Sequence, residues 1–129
     1  MTVVSLYDVE NILELRDKSE TRQLSNYLLI KNVAFDNMLN VMALCNTCVV
    51  QGDVVVGDPT EVALVEFANK CGVFKENIKN DYVLVDEFPF DSNRKLMSTI
   101  HSYNNQIVAL TKGGLDEVLA CCAYAQVGK

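Results

Sequence analysis

The sequence has no apolar run long enough to cross a membrane. The first residues do not read as a secretory signal: Asp8, Glu10 and Glu14 fall where one needs an uncharged apolar core. No internal repeat and no low-complexity tract occurs. Neither the G-x-x-x-x-G-K-[ST] loop nor the G-x-G-x-x-G turn is present, which excludes two common glycine-rich phosphate cradles. No motif sets a nucleophile beside a base, so nothing points to covalent chemistry within the chain. Histidine occurs once, at His101. Cys45-Asn-Thr-Cys48 is formally C-x-x-C, but a zinc site needs a second ligand pair, and His101 is distant in sequence. Basic residues are also short, 11 against 17 acidic ones, for a net charge of −6. That balance argues against a general nucleic-acid or anionic-membrane surface. An anionic ligand needs a local cationic patch.

What is present fits one domain of 129 residues, half of them apolar and 22 % charged. The five cysteines are odd in number and irregularly spaced, and Cys121 and Cys122 are adjacent. They read as reduced thiols in a cytosolic setting, most of them serving as small buried hydrophobes.

Along the chain, Thr2–Tyr7 reads as a short first strand. Val9, Ile12, Leu13 and Leu15 fall near helical spacing, with Asp8 as a candidate N-cap, and residues 17–26 read as a polar loop. A helix is predicted over Asp36–Val49, with Met38, Leu39, Met42, Leu44 and Cys45 on its apolar stripe. Val54–Val56 reads as a short strand between two Gly-Asp turns. A second helix opens at Asp58-Pro59, with aspartate as N-cap and proline at the first helical position, and ends at Gly72. Its buried stripe is Ala63, Leu64, Phe67, Ala68 and Cys71.

From residue 82 the period becomes that of strands: 82–90, 95–103 and 106–112, separated by "DSNR" and "NN" turns and followed by a helix over Leu115–Cys122. Helices early and hairpin-linked strands late predict an α+β fold, an antiparallel β-sheet flanked by helices. With Ser92-Asn93 as the central turn residues, Phe90 sits opposite Lys95 and Phe88 opposite Met97. With Asn104-Asn105 as the next turn, Tyr103 faces Gln106, His101 faces Val108 and Met97 faces Lys112. Phe90, Lys95 and Lys112 then share one face at one end of three strands. An aromatic face beside two ammonium groups suits a nucleotide, by base stacking and phosphate pairing. The same residues also suit a packed phenylalanine with solvated lysines.

Three segments narrow the choice: "GDPTEVALVEFA" (57–68), "FPFDSNRKLMS" (88–98) and "TKGGLDEVL" (111–119), in that order. With "ALCN" at 43–46 and "MTV" at 1–3, the chain over essentially its whole length resembles the nucleotide-binding (N) domain of P-type cation-transporting ATPases, in the calcium-pump-like branch. The resemblance implies a single domain, 1–129, from a larger membrane pump, itself soluble and monomeric on the cytoplasmic face. By position, Phe90 matches the aromatic that stacks on adenine, and Lys95 the lysine near base and phosphates. Lys112, followed by Gly113, matches the lysine at the pocket floor. Glu61 matches the glutamate that accepts from the adenine amino group, with Thr60 beside it. Without the resemblance, Glu61 reads equally as a first-turn acid favoured by the helix dipole.

Two departures stand out. Ser92 occupies a position where calcium pumps often have arginine, and Lys-Gly-Gly-Leu-Asp replaces the usual Lys-Gly-Ala-Pro-Glu. The phosphorylated Asp-Lys-Thr-Gly-Thr of the family is not in this sequence. The resemblance therefore implies that this chain binds ATP without hydrolysing it, and that the intact pump is the hydrolase and translocase. There it presents the γ-phosphate to an aspartate of the phosphorylation domain, with the actuator domain of the same chain as a further partner. Mg²⁺ rides mostly on the phosphates and that missing domain, and no metal ligands are assigned here. Calcium is the ion the resemblance suggests. The rival readings are a stand-alone nucleotide-binding module and a protein-interaction module that kept the fold but lost ATP. Arg94 has no assigned role.

Overall fold

The structure, a computed structural model, describes residues 1–7, 12–15 and 33–126. Strand β1 (Ser5–Tyr7) pairs antiparallel with β2 (Ile12–Glu14), Ser5 opposite Glu14. The helical spacing read at Ile12–Leu15 therefore belongs to a strand. The ladder with β1, continued by Leu15 N–H donating to Val4 O at 2.7 Å, outweighs the weak helical periodicity. The Asp8 cap and the 17–26 loop lie outside the described residues.

Helix α1 (Val33–Leu44) begins and ends earlier than its apolar stripe suggests. Its stop has a local cause. The buried Asn46 amide donates to the carbonyls of Met42 and Ala43, satisfying acceptors that a helix end leaves open. Val49 is then claimed by β3 (Val49–Gln51), which forms a hairpin with β4 (Val54–Val56).

Helix α2 (Pro59–Lys70) follows its sequence signals closely. Asp58 caps it, its carboxylate accepting from Thr60 N–H at 3.0 Å, and Pro59 opens it. Gly72 stands just past the helix end at φ +85°, a conformation that glycine adopts without steric cost. The buried face carries Ala63, Val65, Phe67 and Ala68, with Leu64 and Cys71 half-buried at its margins. A short helix α3 (Lys75–Ile78) was not visible in the periodicity.

The main sheet has strand order β5 (Val83–Asp91), β6 (Leu96–Tyr103), β7 (Gln106–Gly113), all antiparallel, and is followed by α4 (Leu115–Cys121). The β6–β7 register is the expected one: Tyr103 pairs with Gln106, His101 with Val108 and Met97 with Lys112. Asn104 and Asn105, both at positive φ, form the two-residue turn.

The β5–β6 register is not the expected one. Asp91 pairs with Leu96 and Phe88 with Ser98, with an irregularity between Phe88 and Asp91. The connection holds four residues rather than two, because the Asp91 carboxylate accepts from Asn93 N–H and Lys95 N–H returns to Asp91 O.

Two apolar clusters hold these parts together. Leu6, Phe35, Leu39 and Phe67 join β1, α1 and α2. Leu44 and Cys45, at the end of α1, meet Met97 and Leu110 of the main sheet. The Cys45 thiol donates to Leu110 O at 3.4 Å, so even its weak donor is used. No helix among the described residues is long and apolar enough to cross a membrane.

Candidate functional site

A cleft of about 660 Å³ opens where the start of α2 meets the tip of the main sheet. Asp58, Thr60, Glu61 and Leu64 form one wall. Pro89 and Phe90 of β5, Met97 of β6, and Lys112 and Gly113 of β7 form the other. Thr47, from the turn after α1, closes it.

Glu61 is the polar centre. Its Oε1 accepts from Lys112 Nζ at 2.7 Å. Its Oε2 accepts from Thr47 N–H at 3.2 Å and Thr47 Oγ1 at 3.1 Å, with the Cys48 thiol 3.9 Å away. The two charged side chains are only 12 % and 21 % exposed for Glu61 and Lys112. Burial works against the charge on Glu61. The hydrogen bonds from Lys112 and Thr47 outweigh it and hold the carboxyl below its ordinary value. The Cys48 thiol moves the other way, pushed up by burial and by the Glu61 charge.

Phe90 is 61 % exposed although it lines this cleft. The irregularity after Phe88, with Pro89 inside it, aims the ring. Phe88 pairs with Ser98, whereas Phe90 reaches the side where Met97 and Lys112 lie. Proline is tolerated there because β5 is an edge strand.

Arg94 explains how this irregular tip is held. Its guanidinium donates to Phe88 O at 3.4 Å, Leu96 O at 3.1 Å and Ser98 Oγ at 3.5 Å. One side chain thus bridges β5 and β6 at the register shift.

Gly113 is required by close approach. A Cβ there would lie 2.3 Å from the Lys95 carbonyl oxygen. Next to it, Gly114 N–H donates to the same oxygen at 3.2 Å. A Cβ at Gly114 would meet only the flexible Glu117 carboxylate.

Of the expected site residues, the structure brings together Thr60, Glu61, Phe90, Lys112 and Gly113. Lys95 is not among the lining residues. It sits in the turn at φ +58° and pairs with Glu117 at 3.6 Å, its side chain 62 % exposed. The expected pairing of Phe90 with Lys95 fails because the four-residue turn takes Lys95 out of the strand alternation. Sequence reasoning missed Thr47, Leu64, Pro89 and Asp58 as lining residues. Met97 had a signal, since its pairing with Lys112 placed both on one face. Thr47 had none: it reaches the site through the turn after α1.

A second cleft of about 570 Å³ lies on the other side of the turn at 46–48 and includes Lys75, Tyr82 and His101. Lys75 Nζ donates there to Asn46 Oδ1 at 3.3 Å and Cys48 O at 3.5 Å. The buried His101 ring bonds Thr99 Oγ1 at 2.8 Å and Tyr82 O at 3.3 Å, and burial moves its pKa down. Both ring nitrogens have partners, so His101 serves the core. Among the described residues no group of three or more histidine, cysteine or acidic side chains is arranged to hold a metal ion.

A family model described as P-type ATPase, cytoplasmic domain N, matches residues 34–129. A calcium-transporting ATPase of Listeria monocytogenes is 42 % identical over 88 residues, covering 67 % of this chain and 10 % of that protein. Calcium-transporting ATPase 1 of Bacillus cereus is 35 % identical over 102 residues, covering 79 % of this chain and 11 % of its own length. The human calcium-transporting ATPase type 2C member 2 is 31 % identical over 100 residues, covering 75 % and 10 %. The chain thus spans about a tenth of the length of these relatives.

Proposed function

This chain belongs to the family of P-type ATPase cytoplasmic N domains, and from that premise we propose that it holds the adenosine end of ATP for a calcium-transporting pump. The cleft built by α2 and the sheet tip is the binding site. Phe90 stacks on the base, Glu61 accepts from its amino group, and Lys112 supplies positive charge beside it. Thr60 and Gly113 complete the walls.

The observation that carries this reading is the combination in one cleft of an exposed aromatic face, a paired carboxylate and an ammonium group. The residues suit a nucleotide: one flat apolar surface, one anchored acceptor and one half-buried cation. Lys95 extends the site as a mobile cation for the phosphates. Its contact with Glu117 is long and exposed, so little free energy holds it there. Asp58 is engaged as a cap and Glu61 by Thr47 and Lys112, so Mg²⁺ enters with the phosphates rather than on these carboxylates. Bound Mg²⁺ neutralises phosphate charge. In the full pump the γ-phosphate is then presented to an aspartate of the phosphorylation domain. The chain alone binds ATP without hydrolysing it.

Titration of the isotopically labelled chain with ATP tests this. Amide signals of Thr60, Glu61, Phe90, Lys112 and Gly113 are expected to move together along one saturable isotherm. Saturable movement confined to another surface, the Lys75–His101 cleft included, would overturn the assignment.

A further inference from the structure

Glu61 has a stereochemical feature that reaches beyond its charge. A carboxylate oxygen offers two lone-pair directions. Oε2 takes the Thr47 backbone N–H at 3.2 Å and its hydroxyl at 3.1 Å, with the Cys48 thiol a longer, weaker donor at 3.9 Å. Oε1 gives one to Lys112 Nζ at 2.7 Å. One acceptor direction of Oε1 remains, and Glu61 lines the same cleft as Phe90.

From this we infer that Thr47 is a specificity-determining positioning residue: by filling Oε2 it leaves Glu61 one acceptor, which selects a base bearing an exocyclic amino donor over one bearing a carbonyl. The inference rests on the nucleotide-binding reading above. Chemically the distinction is sharp. A 6-amino purine donates a hydrogen to the free lone pair. A 6-oxo purine brings an oxygen against a carboxylate oxygen, and two acceptors cannot bond. Rotation of the carboxylate would let Glu61 escape that clash and meet another donor of the base. The two Thr47 donors, on a turn tied from its other side by Lys75 to Asn46 and Cys48, oppose this rotation. Thr47 closes the cleft, and its effect on base choice runs through Glu61.

The test uses Thr47→Val and Thr47→Ser in the whole chain. Valine keeps the shape and the backbone N–H but removes the hydroxyl, and serine keeps both donors. Glu61 faces Lys112 from β7 and the Cys48 thiol, and Asp58 lines the same cleft; both variants leave these groups unchanged. Two readouts are followed: the pH titration of the Glu61 carboxyl carbon without ligand, and the ratio of AMP to GMP affinity by amide shift titration. Thr47→Val is expected to raise the Glu61 titration midpoint and to lower the AMP-to-GMP ratio about three- to tenfold, the effect of one hydrogen bond. Thr47→Ser is expected to hold both near the parent values. An unchanged midpoint and ratio in Thr47→Val would overturn the inference, as would an equal loss in Thr47→Ser. If neither nucleotide moves Glu61 in the parent chain, the nucleotide-binding reading fails and the selectivity claim with it. The ligand-free titration still decides whether Thr47 controls the carboxylate.

Discussion

Lys112 Nζ lies 2.7 Å from Glu61 Oε1 and joins strand β7 to the first turn of helix α2 across 51 residues of sequence. The pair closes the floor of the cleft, and both partners are largely shielded from water. Removing Lys112 leaves a carboxylate with part of its compensation gone. Lys112→Met is therefore expected to destabilise the chain by about 1–3 kcal/mol, the scale of a hydrogen bond to a charged group. The urea midpoint with an unchanged slope reads this directly.

The same contact sets a pH dependence. Glu61 is depressed below its ordinary value of 4.5 in the folded chain. A depressed folded pKa contributes stability that is fully present above the unfolded value and is lost as pH falls through the folded one. Unfolding free energy should thus drop from about pH 4.5 downward. In Glu61→Gln this contribution should be missing, so the difference between the two proteins' curves should isolate it. An identical slope in both proteins would show that other carboxylates carry the acid sensitivity.

Phe90→Ala is expected to weaken ATP, ADP and AMP alike, about five- to 150-fold, because stacking on a base is worth ~1–3 kcal/mol whatever the phosphate count. The ring is mostly exposed, so folding stability should hardly change. Parallel nucleotide titrations check this, and a loss confined to ATP would instead assign Phe90 to the phosphate end.

Gly113 and Gly114 should behave differently although they are neighbours. Alanine at Gly113 drives a methyl into the Lys95 carbonyl and is expected to cost about 1–3 kcal/mol, as overpacking does. Alanine at Gly114 displaces only the Glu117 side chain and should be tolerated. Thermal unfolding of the two variants side by side gives the comparison.

The thiols should label in a fixed order. Cys121 and Cys122 are exposed, whereas Cys45 and Cys48 are buried and shifted up by burial, and burial pushes Cys71 up to about 11. Iodoacetamide at neutral pH is expected to modify the adjacent pair first, as mass spectrometry of timed samples would show.

Much of this architecture was legible in the residues. Asp58, Pro59 and Gly72 mark both ends of α2 because each acts through local backbone chemistry. Asn104-Asn105 sets the β6–β7 register for the same reason, and with it the pairing of Met97 and Lys112. What escaped depends on distant partners. Ile12–Glu14 becomes a strand because β1 is there to pair with it. The β5–β6 tip looks like a two-residue turn until Asp91 accepts from Asn93 and opens it to four. Thr47 belongs to the site only because the end of α1 packs against Met97 and Leu110, which no spacing within residues 43–48 reveals.

Arg94 began as a cation without a task. Its three bonds span both strands of the tip at the register shift between Phe88 and Asp91. Sliding β5 by one residue would leave the guanidinium facing carbonyls at the wrong spacing and would turn the Phe90 ring away from the cleft. The arginine therefore favours this alignment over its neighbours, because only here do all three acceptors lie within reach. The exposed ring is thus displayed on an irregular edge whose alignment the guanidinium bonds hold.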